Sequence, residues 1–387
     1  MALIRRLAVL ASGVGALLAG LGSSAIAPAD AARIWHRTGA RASEARHPPR
    51  AGRASGVAAA DSNPLAGMRF FVDPSSGAAT EAGRYPALWA IAGQPGTARF
   101  GSFSNPNATL AVRAYLADAA RREPGTVPMI ATYRVVDGHC GNWADPSADE
   151  DSYRRFIDGF AHGIGHHRAV LFLEMDALIT VGCLSPYGVE VRMRELRGAI
   201  DVLTATCPNL IVYLDAGAAD AVGAWRMARL LRRAGIARIQ GFFLNSTHFD
   251  WTAHEVRYGE AVSRMTGGKH FVVNTGENGQ GPLRPPDAQL QGNEVLCNPP
   301  GRGLGPRPTA YTGIPNVDAF AWTSNPGESG GACAPGAPPA GNFWPGYALM
   351  LVRNAKFMLN TSAIARQARQ IAGAPTRVHH RRRHRHR

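Results

Sequence analysis

The sequence lacks the glycine-rich phosphate loops of nucleotide-dependent enzymes. No G-x-G-x-x-G or Walker motif follows a predicted strand anywhere in its 387 residues, which argues against nucleotide chemistry. It has no internal repeat, which excludes a solenoid. Beyond residue 21 it has no run that is long and apolar enough to cross a bilayer. Its hydrophobic content of 45% nevertheless supplies a sizeable core, so a wholly disordered chain is excluded as well.

Acidic side chains are outnumbered, with 28 Asp and Glu against 42 Lys and Arg and a formal net charge of +14. The excess lies at the ends: residues 1–62 carry eight basic and three acidic side chains, and residues 376–387 carry six arginines and no acid. A nucleic-acid-binding fold would carry its basic surface on the folded domain, so no nucleic-acid partner is predicted. We expect the Arg/His-rich tail at 376–387 to be disordered, and either simply solvated or in electrostatic contact with an anionic wall or membrane surface.

The first 27 residues have the pattern of a secretory signal peptide. Arg5 and Arg6 precede an apolar run at 7–21, and small residues follow at 24–27. A membrane anchor is the alternative, but the run is short and glycine-rich. Residues 28–62 are rich in Ala, Arg, Ser, Gly and Pro, which predicts a disordered linker. We therefore expect an exported, extracellular protein whose folded region spans 63–375.

Cysteine is scarce, at five residues, and the odd number leaves one unpaired if the others form disulfides in an oxidising compartment. Cys207, just before the apolar run at 210–214, is the candidate for the unpaired and buried one. The other four lie in loops rich in Gly, Pro or Asn: Cys140, Cys183, Cys297 and Cys333. The residues alone do not fix how these four are connected.

The folded region alternates short apolar runs with longer stretches of helical periodicity, which predicts an α/β fold with a mostly parallel sheet. The predicted strands are 68–72, 129–133, 169–173, 210–214, 240–244, 270–273 and 319–322. The predicted helices are 109–122, 152–165, 191–206, 221–233 and 252–265. Polar residues follow most of these strands, and in parallel β/α folds the carboxyl ends of the strands gather the ligand site. We therefore expect one polar cleft at the top of a barrel.

The residues expected in this cleft are carboxylates, amides and aromatics, which suit glycoside chemistry. One carboxyl group must be held protonated to protonate the leaving oxygen, while a second group activates water or stabilises positive charge. Asp176 is the best candidate for the acid, because the apolar residues around it in the run LEMDALI at 173–179 are expected to desolvate it. The alternative role for this aspartate is a helix N-cap. We predict neither a metal nor a cofactor.

Eight motifs support a more specific interpretation. They are FVDP at 71–74, the segment from Tyr133 to Cys140 and Gly141, EMD at 174–176, YLDAG at 213–217, GFFLN at 241–245, NGQGP at 278–282, CNPPGRGLG at 297–305 and PGES at 326–329. With these motifs in this order, the chain from about residue 70 to residue 352 resembles glycoside hydrolase family 6. That family comprises the secreted cellobiohydrolases and endoglucanases that act on β-1,4-glucan.

The resemblance implies a distorted, seven-stranded, TIM-like β/α barrel that forms a single catalytic domain and hydrolyses a β-linked glucan by single displacement with inversion. It implies Asp176 as the general acid, Asp215 lining the site, Tyr133 near the sugar ring that is distorted, and Asn245 as a strand-end amide. No metal takes part. The expected partner is a polysaccharide or oligosaccharide, and we expect a monomer.

The resemblance also implies two disulfides, Cys140–Cys183 and Cys297–Cys333. This pairing leaves Cys207 free.

The sequence departs from the family pattern around the expected water-activating group. GHC at 138–140 stands where the family has Arg-Asp-Cys, GESGG at 327–331 where it has Gly-Glu-Ser-Asp-Gly, and VNTGEN at 273–278 where it has Ile-Asp-Thr-Ser-Arg-Asn. His139 can take over as the base, oriented by Asp137 two residues earlier, or it can have a purely structural hydrogen-bonding role. Glu328 and Glu277 are the other candidates for the base.

The expected substrate-binding residues lie at the strand ends and in the loops that follow them: Tyr133, Asp137, Asn245, Asn274, Trp322 and Glu328. Because so much of the group around the acid is altered, two functions stay open. One is a glycoside hydrolase with an altered base. The other is a catalytically impaired relative that binds a glycan without hydrolysing it.

Overall fold

The computed structural model describes residues 63–101, 107–135, 146–283 and 295–355, with side chains from residue 150 onward in the segment that begins at 146. These residues contain a seven-stranded, all-parallel sheet in which the strands are ordered as they occur along the chain. The strands are β1 (Thr97–Gly101), β2 (Met129–Tyr133), β3 (Ala169–Leu173), β4 (Leu210–Asp215), β5 (Gly241–Leu244), β6 (His270–Asn274) and β7 (Val317–Ala321).

Eight α-helices connect and flank these strands in the described part of the chain. They are α1 (Gly77–Ala82), α2 (Trp89–Ala92), α3 (Ala108–Arg122), α4 (Pro146–Ile164), α5 (Pro186–Thr206), α6 (Ala224–Ala234), α7 (Thr252–Met265) and α8 (Pro345–Arg353). Local sequence fixes several ends: Asn107 Oδ1 caps α3 by accepting the Leu110 N–H at 3.2 Å. Ser185 caps α5 directly before Pro186, and Gly235 ends α6 with a φ of 94°.

The strands are buried on both faces, as expected of a parallel sheet that is covered on both sides. In β3, Leu171 and Leu173 pack outward in the cluster that the helices share, whereas Val170 and Phe172 pack inward with the interior side chains of neighbouring strands. The sheet therefore curls into an open barrel with a filled interior, and its polar residues are left for the ends of the strands.

The gap between β7 and β1 is closed by side chains. No backbone ladder joins these two strands within the residues that the structure describes. Instead, the Thr97 hydroxyl donates to the Trp322 carbonyl at 2.7 Å, and the Asn325 side chain accepts the Thr97 N–H and donates to the Thr97 carbonyl, each at 2.8 Å. We call these three residues the seam.

The predicted seven-stranded β/α barrel is confirmed, but its first strand was misplaced. Residues 68–72 form only one isolated bridge, between Phe70 and Val127, because the chain soon reaches Pro74, which has no N–H to extend a ladder. The first strand of the sheet is β1, which the sequence did not reveal because Arg99 interrupts its apolar pattern. Helices α4 and α5 begin earlier than predicted and α6 later, and α1, α2 and α8 were not predicted.

The described cysteines have distinct environments. Cys297 and Cys333 form a disulfide that joins two loops 36 residues apart in sequence. Cys183 is disulfide-bonded, and Cys140, its predicted partner, lies outside the described residues. Cys207 is buried and free, its Sγ lies 3.4 Å from the Ala161 carbonyl, and burial raises the pKa of its thiol to about 11.

No helix in the described ranges has the length and apolar character that a membrane span requires.

Candidate functional site

Several of the polar residues predicted at the top of the barrel meet at the carboxyl-terminal edge of the sheet. Tyr133 is the last residue of β2, and Asp215 is the last residue of β4. Asp176, Thr247 and Glu277 each lie three residues beyond the end of a strand, after β3, β5 and β6 respectively. Because all strands are parallel, their carboxyl ends deliver these side chains to one side of the barrel.

Asp176 lies in a turn with unusual backbone geometry. Glu174 and Asp176 have φ values of 53° and 63°, a left-handed region that residues other than glycine rarely adopt. The fully buried Glu174 fixes the turn, since its Oε2 accepts the N–H groups of Arg134 and Val135 at 2.9 Å each. The Thr180 hydroxyl donates to the Asp176 carbonyl at 2.7 Å. The turn therefore holds the Asp176 carboxyl group in a fixed position.

The Asp176 carboxyl group has two hydroxyl neighbours. Thr247 Oγ1 donates to its Oδ1 at 2.6 Å, and the Tyr133 hydroxyl donates to its Oδ2 at the longer distance of 3.5 Å. Burial raises the pKa of Asp176, while the hydrogen bond from Thr247, the positive charge of His248 and the Tyr133 hydroxyl oppose this shift. The net direction is upward, toward the neutral form that a proton donor must keep.

Asp215 lies deeper in the barrel and is 1% exposed. Its Oδ2 accepts the Gly217 N–H at 3.2 Å. Burial, followed by the negative charge of Asp176, raises the pKa of Asp215 well above its usual value. Burial of Asp215 therefore favours the neutral form of its carboxyl group.

His248 and Asp220 form a second pair on the same side of the barrel, which the sequence did not indicate. His248 Nδ1 lies 3.2 Å from Asp220 Oδ1, and both side chains are buried. The positive charge of His248 lowers the pKa of both Asp176 and Asp215. The chain after β5 thus supplies two neighbours of the acid, Thr247 by a hydrogen bond and His248 by its charge.

Arg99 is a further site residue that sequence analysis missed. It projects from β1 and forms an ion pair with Glu328, and its side chain is 28% exposed. Burial lowers the pKa of Arg99, whereas the nearby Tyr133, Glu277 and Asp176 raise it. Arg99 therefore places a cation beside the acid. No apolar run marked β1, so nothing in the sequence pointed to this residue.

A cavity of about 150 Å³ lies beside Arg99 and the seam. Glu328 and Trp322, both predicted to contact substrate, border it. Glu328 Oε1 accepts a hydrogen bond from the Asn325 amide at 2.7 Å, so the seam also positions Glu328. Trp322 is only 1% exposed and donates its indole N–H to the Pro306 carbonyl at 3.4 Å, which makes it a wall of the cavity.

Two predicted substrate-binding amides are placed differently from the expectation. Asn245 is 0% and Asn274 is 3% exposed. Asn245 Nδ2 donates to the carbonyls of Asp250 and Asn274 at 3.2 Å each, and Asn274 Oδ1 accepts the Thr323 N–H at 3.1 Å. Their amide groups are thus engaged within the protein. Both residues join the ends of β5, β6 and β7 and have no free surface to offer a ligand.

Three of the predicted residues cannot be compared with the structure. Asp137, His139 and Cys140 lie outside the described residues.

One group of carboxylates in the described ranges has the spacing of cation ligands. Oxygens of Asp220, Asp250 and Glu255 lie within 4.8 Å of one another. Protein groups contact them: the Trp251 N–H donates to Asp250 Oδ1 at 2.8 Å, and His248 pairs with Asp220. Burial, followed by the charge of Asp250, raises the pKa of Glu255 well above its usual value. The Ala219 N–H also donates to Glu255 Oε1 at 2.9 Å, so each member of the cluster has a protein partner.

The fold and the site together define a class. A parallel β/α barrel whose carboxyl-terminal edge carries a desolvated carboxylic acid and further carboxyl groups has the arrangement of a glycoside hydrolase. Residues 79–355 match the family model described as "Glycosyl hydrolases family 6". The chain therefore belongs to that family, as its motifs predicted, and is a cellulase-like member of it.

Curated relatives agree with this assignment. "Endoglucanase 1" of Streptomyces halstedii is 34% identical over 298 residues, which cover 73% of this chain and 88% of the relative. "Endoglucanase A" of Cellulomonas fimi is 35% identical over 233 residues, which cover 60% of this chain but only 48% of the relative. The chain therefore spans about half the length of the latter protein.

Solved structures show the same fold. The endoglucanase Cel6 from Mycobacterium tuberculosis, in complex with methyl-cellobiosyl-4-deoxy-4-thio-β-D-cellobioside, is 37% identical with a TM-score of 0.68, and the match covers 76% of this chain and 99% of that one. The catalytic core of the cellobiohydrolase Cel6A from Chaetomium thermophilum is 22% identical with a TM-score of 0.63. The second likeness concerns the fold alone.

Proposed function

We propose that this protein is a secreted, inverting glycoside hydrolase that cleaves β-1,4-glucan or a related β-linked glycan, with Asp176 as its general acid. The observation that best supports this role is the environment of Asp176. The carboxyl group is held by a left-handed turn, half-buried, and its pKa is raised by burial. A proton donor that works near neutrality needs this combination.

In this proposal, Tyr133 contacts the sugar ring beside Asp176, and the buried Asp215 stabilises the acid from within the barrel. Glu328 and Arg99 lie beside the cavity at the seam and face the same substrate. The relative from Mycobacterium tuberculosis carries a thio-linked cello-oligosaccharide, which supports a β-1,4-linked glucan chain as the ligand.

Secretion and the environment of the tail belong to the same proposal. The charged, apolar and small-residue segments within 1–27 form a signal peptide, and the protein acts outside the cell as a monomer. The arginines at 376–387 contact an anionic wall or membrane surface.

The test is a panel of soluble β-glucans and wall polysaccharides treated with the purified wild type and with Asp176→Asn. We expect the wild type to release reducing sugar and the variant to be slower by about 10²–10⁴-fold, because proton transfer to the leaving oxygen is lost. Nuclear magnetic resonance of the first product should show the α-anomer from a β-linked substrate. If neither protein releases product but both bind the same glycan, the non-hydrolysing alternative replaces the proposal.

A further inference from the structure

Arg99 is a shared neighbour of carboxyl groups from different parts of the barrel. It forms an ion pair with Glu328 after β7, and the charges of Glu277 after β6 and of Asp176 after β3 act on it as well. Asp176 and Glu277 follow strands that are separated by two others in the sheet. One carboxyl group therefore contacts this guanidinium, and the charges of two others act on it from separate parts of the barrel edge.

Glu277 is fixed by the loop that follows β7. Its Oε1 accepts the Gly327 N–H at 2.9 Å, and the Tyr347 hydroxyl of α8, which donates to the Pro299 carbonyl at 3.3 Å, influences the carboxyl group. The preceding residue, Gly276, packs so closely on the Ser324 carbonyl that a Cβ would lie 2.8 Å from it. This close approach brings Glu277 against the β7 loop, where its side chain is half-buried.

Burial raises the pKa of Glu277 to about 7, opposed by the Gly327 N–H, the charge of Arg99 and the Tyr347 hydroxyl. A carboxylate with this affinity for a proton is a far better proton acceptor near neutrality than an ordinary glutamate.

Three other carboxyl groups at this edge of the barrel are engaged elsewhere. Glu328 uses Oε2 for Arg99 and Oε1 for Asn325. Asp215 is almost fully buried and accepts the Gly217 N–H. Glu174 is fully buried and accepts two backbone N–H groups. Glu277 is the remaining carboxylate that combines partial exposure with a cation neighbour shared with the acid.

We propose that Glu277 is the general base that activates the attacking water, held in place by the Gly327 N–H, with Arg99 as the nearby cation that it shares with the acid. This inference rests on the proposed hydrolase function and names the group that function leaves open. The water oxygen bonds to the anomeric carbon as the glycosidic bond breaks. One water proton passes to Glu277, and the proton of Asp176 passes to the leaving oxygen, so the atoms and charges balance.

The test compares Glu277→Ala, Glu277→Asp and Glu328→Ala on a β-1,4-linked oligosaccharide and an aryl cellobioside. We expect Glu277→Ala to lower kcat by about 10²–10⁴-fold. Sodium azide should restore at least a tenth of the lost rate by replacing water as the nucleophile, and the product should be the α-glycosyl azide. Glu277→Asp should retain part of the rate. Glu328→Ala should not be rescued, because its carboxylate serves Arg99.

The pH profile gives a second measurement. A base must be unprotonated, so wild-type kcat/KM should fall as the pH drops through about 7, the pKa of Glu277, and this acidic limb should be absent in azide-rescued Glu277→Ala. Arg99 lowers the pKa of Glu277, so Arg99→Met should move the limb to higher pH. A merely structural role for either residue would not move it.

Several outcomes would overturn the inference. They are wild-type turnover by Glu277→Ala, loss of turnover without azide rescue in a variant that melts like the wild type, and rescue of Glu328→Ala or His139→Ala instead. Each of these leaves the hydrolase proposal intact, provided that the wild type cleaves glycan and Asp176→Asn does not. Absence of cleavage by the wild type itself would count against the proposed function and the base together.

Discussion

Asp318 near the amino-terminal ends of the strands and Asp176 beyond their carboxyl ends are both desolvated aspartates, but their carboxyl groups are hydrogen-bonded very differently. Asp318 is 0% exposed and is contacted by the Tyr213 hydroxyl and His270 Nδ1, each at 2.6 Å, and by the Gln240 amide at 3.2 Å. Asp176 has one short hydrogen bond, from Thr247, and one long one. Burial raises the pKa of both groups.

The difference separates a stabilising carboxylate from a reactive one. Asp318 lies on regular strand backbone, and its carboxylate accepts hydrogen bonds from all the partners named above. Removing this carboxylate would leave several buried donors unpaired. The upper carboxyl group lies on left-handed backbone, keeps part of its surface exposed and is left with capacity to exchange a proton. Fold stability thus depends on one end of the barrel and chemistry on the other.

The largest expected effect on stability comes from replacing Asp318. Asp318→Ala should lower the free energy of unfolding by about 3 kcal/mol, since Tyr213 and His270 lose their buried acceptor. Urea denaturation followed by tryptophan fluorescence measures it. Asp318→Asn keeps one acceptor oxygen and should lose less. If the free energy of unfolding of Asp318→Ala is within about 0.5 kcal/mol of the wild-type value, the hydrogen bonds to Asp318 do not stabilise the fold.

Replacement of Asp176 should change the free energy of unfolding in the opposite direction. The pKa of Asp176 is raised in the folded protein, so its ionisation costs stability as the pH rises above the pKa of the unfolded chain. Asp176→Asn removes this cost and should raise the free energy of unfolding at pH 7 by about 1 kcal/mol, with a smaller gain at pH 4. Denaturation curves at the two pH values test this, and a loss of stability at pH 7 would contradict it.

Replacing Thr247 should have a smaller effect, which is on the pH dependence of activity. Its hydroxyl lowers the pKa of Asp176, so Thr247→Val should raise that pKa. Because the acid acts while protonated, the alkaline limb of kcat/KM should move to higher pH, with the rate at the optimum changed by less than about 10-fold. Thr247→Ser is the matched control and should keep the wild-type limb. A shift toward lower pH would show that the hydroxyl does not bond the ionised carboxylate.

The smallest effect is expected at Tyr133. Its hydrogen bond to Asp176 is 3.5 Å long, against 2.6 Å for Thr247, and therefore weaker. Tyr133→Phe should move the alkaline limb in the same direction as Thr247→Val but by less. The two pH profiles, measured side by side, rank the two neighbours. A larger shift from Tyr133→Phe would reverse the ranking that the distances give.

The sequence predicted the parts of the site that follow apolar strands. The runs at 129–133, 169–173 and 210–214 are continuous and buried, so they identified their strands, and Tyr133, Asp176 and Asp215 at or after the strand ends were found with them. In a parallel sheet, the strand end is itself the signal for a functional position.

Other features of the site were not predicted, because they arise from contacts between strands that are far apart in the sequence. Arg99 lies in a strand without an apolar run, and its relation to Glu277 and Glu328 arises only when β1, β6 and β7 close around the barrel. Asn245 follows β5 and Asn274 ends β6, but their amides bond to each other's backbone, and no local feature distinguished them from ligand-binding amides.

At the seam, β7 and β1 are joined by side chains and, within the described ranges, not by a backbone ladder. Asn325 bonds to Thr97 on one side and to Glu328 on the other, so one side chain connects this joint to the Glu328–Arg99 ion pair. Parting three side-chain contacts requires no strand to leave its ladder. A substitution at Asn325 would therefore affect Glu328 and its partner Arg99 without disturbing any strand ladder.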